Sequence, residues 1–241
     1  MENPMFYIEG AKASLKKMIK YKILLASIVI VILLCAYTFS IVFKNAVDTY
    51  NTEESDDSIN QEIIGQDGWI QYYQADYRNL KYKNSNFAES GCGPTSLCIV
   101  LTHITGRSIT PTELYKMPGF ENYYLPGSGF YGSIFEAGTK YFKVPYTVKQ
   151  ISEFDEMYSY LKKGCPVIDI QLKGIFTGGG HYIVLAYATE DGGIVVKDPN
   201  KYNAIEKPYG RGYNTRVFTK EEMTKSHGST YWIFVPDNVN I

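Results

Sequence analysis

The sequence has little of what marks metal-binding, disulfide-rich or nucleic-acid-binding proteins. Of its 241 residues four are cysteine and three are histidine, and the formal net charge is −1. The cysteines show neither a paired framework nor a C-x-x-C spacing, and the histidines lack zinc-type spacing. A near-neutral charge balance also lacks the excess of Lys and Arg that holds a phosphate backbone. We therefore expect no metal, no cofactor and no nucleic-acid partner.

Charged residues, proline and glycine are all missing from Ile23 to Phe43. At ~1.5 Å rise per residue this run makes a helix of about 30 Å, the thickness of a hydrocarbon core. A buried helix of a soluble protein is the alternative, but such helices usually carry a polar face. The run therefore predicts a transmembrane helix over residues 23–43.

The flanks of this apolar run differ in charge. Lysines dominate residues 1–22, whereas acidic residues dominate the stretch after Lys44. The positive-inside rule then predicts a cytoplasmic basic tail over 1–22 and an extracellular remainder. A cleaved signal peptide shares the basic start, but its apolar core is shorter and ends at a small-x-small site, which Ile41-Val42-Phe43 does not supply. We expect a retained, single-pass anchor in the cell membrane.

Residues 44–66 are polar and acidic, and such a stretch buries too little apolar surface to offset its ordering entropy. We interpret it as a stalk, and we expect the folded domain to occupy residues 67–241. Helical patterns come first in that domain, at Pro94–Thr105, from the capping box that begins at Thr110, and at Ser152–Lys163.

Strand patterns follow the helical ones. They are Pro166–Lys173, His181–Thr189, Ile194–Asp198 and Tyr231–Val235, with a hairpin signal at Asp191-Gly192. Helices followed by an antiparallel sheet predict an α+β fold.

Cys92 is the residue with the clearest chemical context. It stands in Glu89-Ser90-Gly91-Cys92-Gly93-Pro94, at the mouth of the first predicted helix. A thiolate there is stabilised by the helix dipole, and free N–H groups of the first turn can hold a developing oxyanion. A small buried hydrophobe is the alternative, and it describes Cys98 and Cys165 well. For Cys92 the flanking glycines favour a nucleophile.

A thiol nucleophile needs a base, usually a histidine, and the base needs an orienting group. His181 follows Thr177-Gly178-Gly179-Gly180 and opens a strand, and Asp198 ends the next strand. Counting from the hairpin turn, the two residues are not level, so their pairing requires a bulge or a longer excursion. A strand-edge histidine and an Asp-Pro turn are the alternatives, with Asn200 as a second possible orienter. We expect His103 to pack or face water, and His227 to lie in a loop.

Four fragments together resemble the C39-like cysteine peptidases of the papain-like superfamily, which are widespread in Gram-positive bacteria. They are Tyr72-Tyr73-Gln74-Ala75-Asp76-Tyr77, Ser90-Gly91-Cys92-Gly93-Pro94-Thr95-Ser96, Gly180-His181-Tyr182-Ile183-Val184 and Val196-Lys197-Asp198-Pro199. Their order matches that of the family, and they span most of 67–241.

The resemblance implies a papain-like fold, a peptide substrate and a role for each of four residues. Cys92 would be the nucleophile, His181 its base and Asp198 the orienter. Gln74 would donate a side-chain N–H to the oxyanion hole, beside the Cys92 backbone N–H, with Gln71 as a competitor for this role.

Three functions fit these residues. The first is an extracytoplasmic cysteine peptidase that cleaves a peptide or amide bond. The second is a surface binding module that kept the fold and lost catalysis, and the third is a thiol hydrolase that remodels peptidoglycan. Leader-peptide processing, as in relatives fused to ABC transporters, is not expected, because the chain has no Walker-type motif. We expect loops to line the substrate cleft, with Pro118–Gly132 as one wall.

Overall fold

The structure is a computed structural model that describes residues 67–206, 214, 216–225 and 227–238. The basic tail, transmembrane helix and acidic stalk predicted over 1–22, 23–43 and 44–66 lie outside these residues. Within the described ranges, no helix is both long and apolar enough to cross a membrane.

A six-stranded antiparallel sheet forms the centre of the domain, with the strand order β5-β10-β6-β7-β8-β9. The strands of this sheet are β5 (Tyr146–Ile151), β6 (Val167–Gln171), β7 (His181–Ala188), β8 (Ile194–Lys197), β9 (Val217–Phe218) and β10 (His227–Pro236). Two small hairpins precede it, made by β1 (Lys81–Tyr82) with β2 (Ser85–Asn86) and by β3 (Tyr124–Leu125) with β4 (Gly129–Phe130).

Six α-helices accompany these strands in the described part of the chain. They are α1 (Phe87–Ser90), α2 (Cys92–Thr105), α3 (Pro111–Tyr115), α4 (Ser133–Tyr141), α5 (Phe154–Lys162) and α6 (Lys220–Thr224). A 3₁₀ turn covers Gln74–Tyr77. Helix α2 ends at Gly106, whose φ of 64° lies in the left-handed region that closes helices. Helix α3 begins with the predicted capping box between Thr110 and Glu113.

Apolar side chains form a core on each face of the sheet. Val184 of β7 packs with Leu97 and other α2 residues on one side. Ile183 and Leu185, which alternate with Val184 along the same strand, pack with Met157 of α5 on the other. A sheet with helices on both sides and two buried faces agrees with the predicted α+β class.

Several predicted elements are confirmed with small changes of boundary. Helix α2 begins two residues before Pro94, α5 begins at Phe154, and β8 ends one residue before Asp198. The pattern missed α1, α4, α6, β5, β9 and both small hairpins. Strand β5 lies at the edge of the sheet and is only half buried, so its sequence lacks the apolar run that marks a strand.

His227 corrects one prediction. Instead of lying in a loop, it opens β10, and its Nδ1 lies 2.6 Å from Oδ1 of the buried Asp169 on β6. The register of β10 against β6 shifts between His227 and Tyr231, which extends the strand four residues before the predicted start.

A β-bulge in the β7–β8 hairpin supplies one position of the offset that the sequence required. Leu185 pairs with Val196 and Tyr187 pairs with Val195, so Ala186 is the extra residue. The bulge carries the far end of β8 one position closer to the start of β7. Asp198 follows Lys197, the partner of Val184, and so stands at the level of Ile183, two positions from His181.

Candidate active site

Cys92 is the first residue of α2, where the chain turns from α1 into the longer helix. Gly91 permits this turn, because a Cβ at that position would lie 2.5 Å from the carbonyl oxygen of Phe87. Gly93 packs against Tyr182 of β7, where a Cβ would lie 3.1 Å from the ring. The close approach of α2 to β7 places the thiol beside the start of that strand.

His181 stands between Cys92 and Asp198. Its Nε2 lies 2.7 Å from Oδ1 of Asp198, and its side chain also hydrogen-bonds with the Cys92 thiol. Because Nε2 is engaged by the carboxylate, Nδ1 is the ring nitrogen left for the thiol. The His181 and Asp198 side chains are 7% and 0% exposed, so water screens their interaction very little.

The electrostatics of the site favour a thiolate–imidazolium pair. Burial raises the pKa of the Cys92 thiol, but the hydrogen bond and charge of His181, with the N–H groups of Tyr182 and Gly93, lower it below its ordinary value. Burial lowers the pKa of His181, but the charge and hydrogen bond of Asp198, with those of Cys92, raise it to about 10. Both shifts stabilise the charged forms, as in activated cysteine nucleophiles.

Asp198 is held by several donors and is completely buried. Its Oδ1 accepts a hydrogen bond from the Asn200 backbone N–H at 2.8 Å, and its Oδ2 accepts one from Asn203 Nδ2 at 2.9 Å. Asn200 itself uses its side-chain oxygen to accept from Tyr202 N–H. The orienting contact to His181 therefore comes from Asp198 and not from Asn200.

Gln74 lies beside the site. Its backbone N–H donates to the Pro199 carbonyl at 2.9 Å, and its side-chain Nε2 donates to the Ala88 carbonyl at 3.0 Å. It is outside the lining of the cleft described below, and its role in an oxyanion hole stays a prediction.

Gln71, the competitor, has both polar ends occupied. Its Nε2 donates to the carbonyl oxygens of Tyr72 and Asp198, and its Oε1 accepts from Asn214. These contacts favour Gln74 over Gln71 as the available donor.

A cleft of about 550 Å³ opens at Cys92 and His181. The hairpin residues Tyr124 and 127–130 form one wall, within the segment predicted for it, and Ile170 and Gly180 lie on another. Glu89 and Ser90 of α1 complete the rim on the nucleophile side. Cys92 and His181 line the cleft, whereas Asp198 does not.

Cys98, Cys165 and His103 take no part in this arrangement. Cys98 and Cys165 are 0% and 1% exposed and belong to opposite cores, as expected for small hydrophobic residues. His103 is exposed and stacks on Trp69 with ring centroids 3.6 Å apart. The described residues contain no group of three or more His, Cys, Asp or Glu side chains that could hold a metal ion.

A comparison with protein families matches residues 70–224 to the Peptidase_C39 like family. The chain belongs to this family. Membership makes this C39-like protein a cysteine peptidase, and the matched range contains Gln74, Cys92, His181 and Asp198. The comparison with curated proteins found no match.

Solved structures similar to this C39-like peptidase include two peptidase domains of ComA. That of Streptococcus ComA, a bi-functional ABC transporter involved in a quorum-sensing pathway, has 18% identity and a TM-score of 0.42, covering 60% of this chain and 90% of that one. That of Streptococcus mutans ComA has 15% identity and a TM-score of 0.38, covering 61% and 93%. A Bacillus anthracis protein described as a C39-like peptidase has 18% identity and a TM-score of 0.42, covering 61% and 89%.

Proposed function

We propose that this C39-like protein hydrolyses a peptide or amide bond with Cys92 as nucleophile, His181 as acid and base, and Asp198 as orienter. The observation that carries the proposal is that Cys92 and His181 line one cleft, where His181 lies 2.7 Å from the buried Asp198 carboxylate and lowers the pKa of the Cys92 thiol. An isolated cysteine or an isolated histidine–aspartate pair would not supply an activated nucleophile.

The reaction proceeds in two halves. The Cys92 thiolate attacks the scissile carbonyl carbon, and the His181 imidazolium gives its proton to the leaving amine as the C–N bond breaks. Water, deprotonated by His181, then hydrolyses the thioester and releases the acid. The Cys92 N–H at the start of α2 and the Gln74 side chain are our proposed donors to the oxyanion.

Cleavage of a diverse peptide library tests this assignment directly. The wild-type chain is expected to produce new peptide termini, and Cys92→Ala to produce none. Cys165→Ala is the matched control, because it removes a buried thiol from the other core. Equal cleavage by Cys92→Ala would overturn the proposal. If the protein digests purified cell wall and not peptides, the proposed substrate becomes peptidoglycan.

We also propose that residues 23–43 anchor the peptidase in the membrane, with 1–22 in the cytoplasm and the catalytic domain held outside by 44–66. The apolar run and the lysine-rich flank support this arrangement. On intact cells a membrane-impermeant thiol reagent should label the wild-type chain at Cys92 and leave Cys92→Ala unlabelled. Labelling that requires cell lysis would contradict it.

A further inference from the structure

Residues 67–74, the N-terminal strap, contact three consecutive residues at the end of β8. The Asp67 carboxylate lies 2.7 Å from the Lys197 ammonium. Gln71 Nε2 donates to the Asp198 carbonyl, and the Gln74 N–H donates to the Pro199 carbonyl, both at 2.9 Å. The strap therefore holds the backbone that carries the orienting carboxylate.

Three side-chain hydrogen bonds close a ring at the centre of this contact. Gln71 Nε2 donates to the Asp198 carbonyl at 2.9 Å, the Asp198 N–H donates to Asn214 Oδ1 at 2.9 Å, and Asn214 Nδ2 donates to Gln71 Oε1 at 2.6 Å. The ring grips Asp198 by both its backbone N–H and its backbone carbonyl. Gln71 is 5% exposed, so water competes little for these bonds.

We infer that Gln71, together with Asn214, is a positioning residue that fixes Asp198 for its contact with His181. The inference rests on the proposed function of Cys92, His181 and Asp198. An amide supplies a donor nitrogen and an acceptor oxygen at one side-chain end, and the ring uses both at each of the two positions. Neither amide contacts the reacting atoms, so both act through the backbone of Asp198.

Loss of the ring has a definite consequence for the thiol. When the Asp198 carboxylate is free to move away from Nε2, it stabilises the His181 imidazolium less. Because His181 is then protonated less readily, its positive charge stabilises the Cys92 thiolate less. The pH midpoint at which Cys92 becomes reactive should therefore rise toward that of an ordinary thiol.

Alkylation of Cys92 by iodoacetamide across pH 5–10, followed by mass spectrometry of each cysteine peptide, measures this midpoint in the full chain. Gln71→Met keeps the side-chain length and adds no charge, so a shift of the Cys92 midpoint reports a change in the position of Asp198. We expect Gln71→Met and Asn214→Ala each to raise the midpoint by about one pH unit, and the double variant to raise it no further. The buried Cys98 and Cys165 report folding in the same spectra, because they react only when the domain opens.

Thr139→Val is the matched control. The control removes the buried Thr139 hydroxyl, which donates to the Phe135 carbonyl within α4 and contacts no residue of the strap, and it should leave the midpoint unchanged. A wild-type midpoint near that of a free thiol, about 8.5, would overturn the proposed function itself. A low wild-type midpoint that Gln71→Met leaves in place, with Cys98 still protected, would overturn only this inference. If Gln71→Met exposes Cys98, the test passes to Asn214→Ala: an unchanged low midpoint in that variant, with Cys98 still protected, would overturn the inference.

Discussion

His181–Asp198 and His227–Asp169 are two histidine–aspartate pairs in one sheet, with separations of 2.7 and 2.6 Å. Both aspartates are completely buried. The histidines even share a row, since Gln171 of β6 is the register partner of His227 on one side and of His181 on the other. Distance and burial therefore do not distinguish the pair that we propose to be catalytic from the other pair.

The two pairs differ in what surrounds them. His181 contacts a thiol through its second nitrogen, whereas Nε2 of His227 is buried with no hydrogen-bond partner in the described part of the chain. His227 instead stacks on Tyr231, with ring centroids 3.8 Å apart.

The aspartates differ as well. Asp198 is gripped through its backbone and by Asn203, while burial raises the pKa of Asp169 to about 6 in spite of its bonds to His227 and Gln171. The two sites therefore differ in whether a thiol contacts the histidine and in the hydrogen bonds that hold the aspartate.

The largest expected effect comes from replacing each histidine by alanine. His181→Ala removes the base and the counter-ion of the thiolate, so peptide cleavage should fall by about 10²-fold or more and the alkylation midpoint of Cys92 should rise to about 8.5. His227→Ala should leave the midpoint unchanged. Equal shifts in both variants would mean that the second pair also acts on Cys92.

Replacing each aspartate by asparagine tests the carboxylates. Asp198→Asn removes the charge that raises the pKa of His181, and the Cys92 midpoint should rise by about one pH unit. In Asp169→Asn the amide oxygen can still accept from His227, and the midpoint should not move. An unaltered midpoint in Asp198→Asn would contradict the orienting role.

The raised pKa of Asp169 predicts a pH-dependent stability. Because its folded pKa of about 6 exceeds the ordinary value of 3.8, the folded state binds the proton more tightly. The free energy of unfolding should therefore fall as pH rises from about 4 to 6 and stay level above, by about 2 kcal/mol. Asp169→Asn should remove this slope relative to wild type in urea unfolding measured at pH 4, 5, 6 and 7. A slope that persists in the variant would assign the titration elsewhere.

The smallest effect concerns two tyrosine hydroxyls. The Tyr231 hydroxyl is buried and unpartnered among the described residues, whereas the Tyr182 hydroxyl donates to the Phe130 carbonyl at 3.1 Å. Tyr231→Phe should raise the free energy of unfolding by up to about 1 kcal/mol, and Tyr182→Phe should lower it by about 1 kcal/mol. Chemical denaturation measures both, and a loss in Tyr231→Phe would indicate a hidden partner for its hydroxyl.

The sequence was informative where one short segment carries its own chemistry. The glycines around Cys92 predicted that this residue starts a helix. The fragments around His181 and Asp198 indicated which histidine and which aspartate accompany Cys92. The bulge at Ala186 was required by counting along the hairpin, although its position depends on packing that the pattern does not contain.

Side-chain contacts between residues far apart in the chain could not be predicted from the sequence. The pairing of His227 with Asp169 depends on a register shift between β10 and β6. The role of Gln71 depends on Asn214, far along the chain, so a local motif suggested only an oxyanion donor. Polar side chains that act through the fold leave no local pattern.

The ring between Gln71, Asp198 and Asn214 also has a consequence for the chain during its synthesis. Its bonds join residues 127 and 143 positions apart, so they form only after most of the domain has been synthesised. A nascent chain that ends within β7 contains Cys92 and His181 but has no Asp198 to hold the imidazole. Under the proposed mechanism such a chain carries an unactivated thiol, and completion of the fold is the step that activates Cys92.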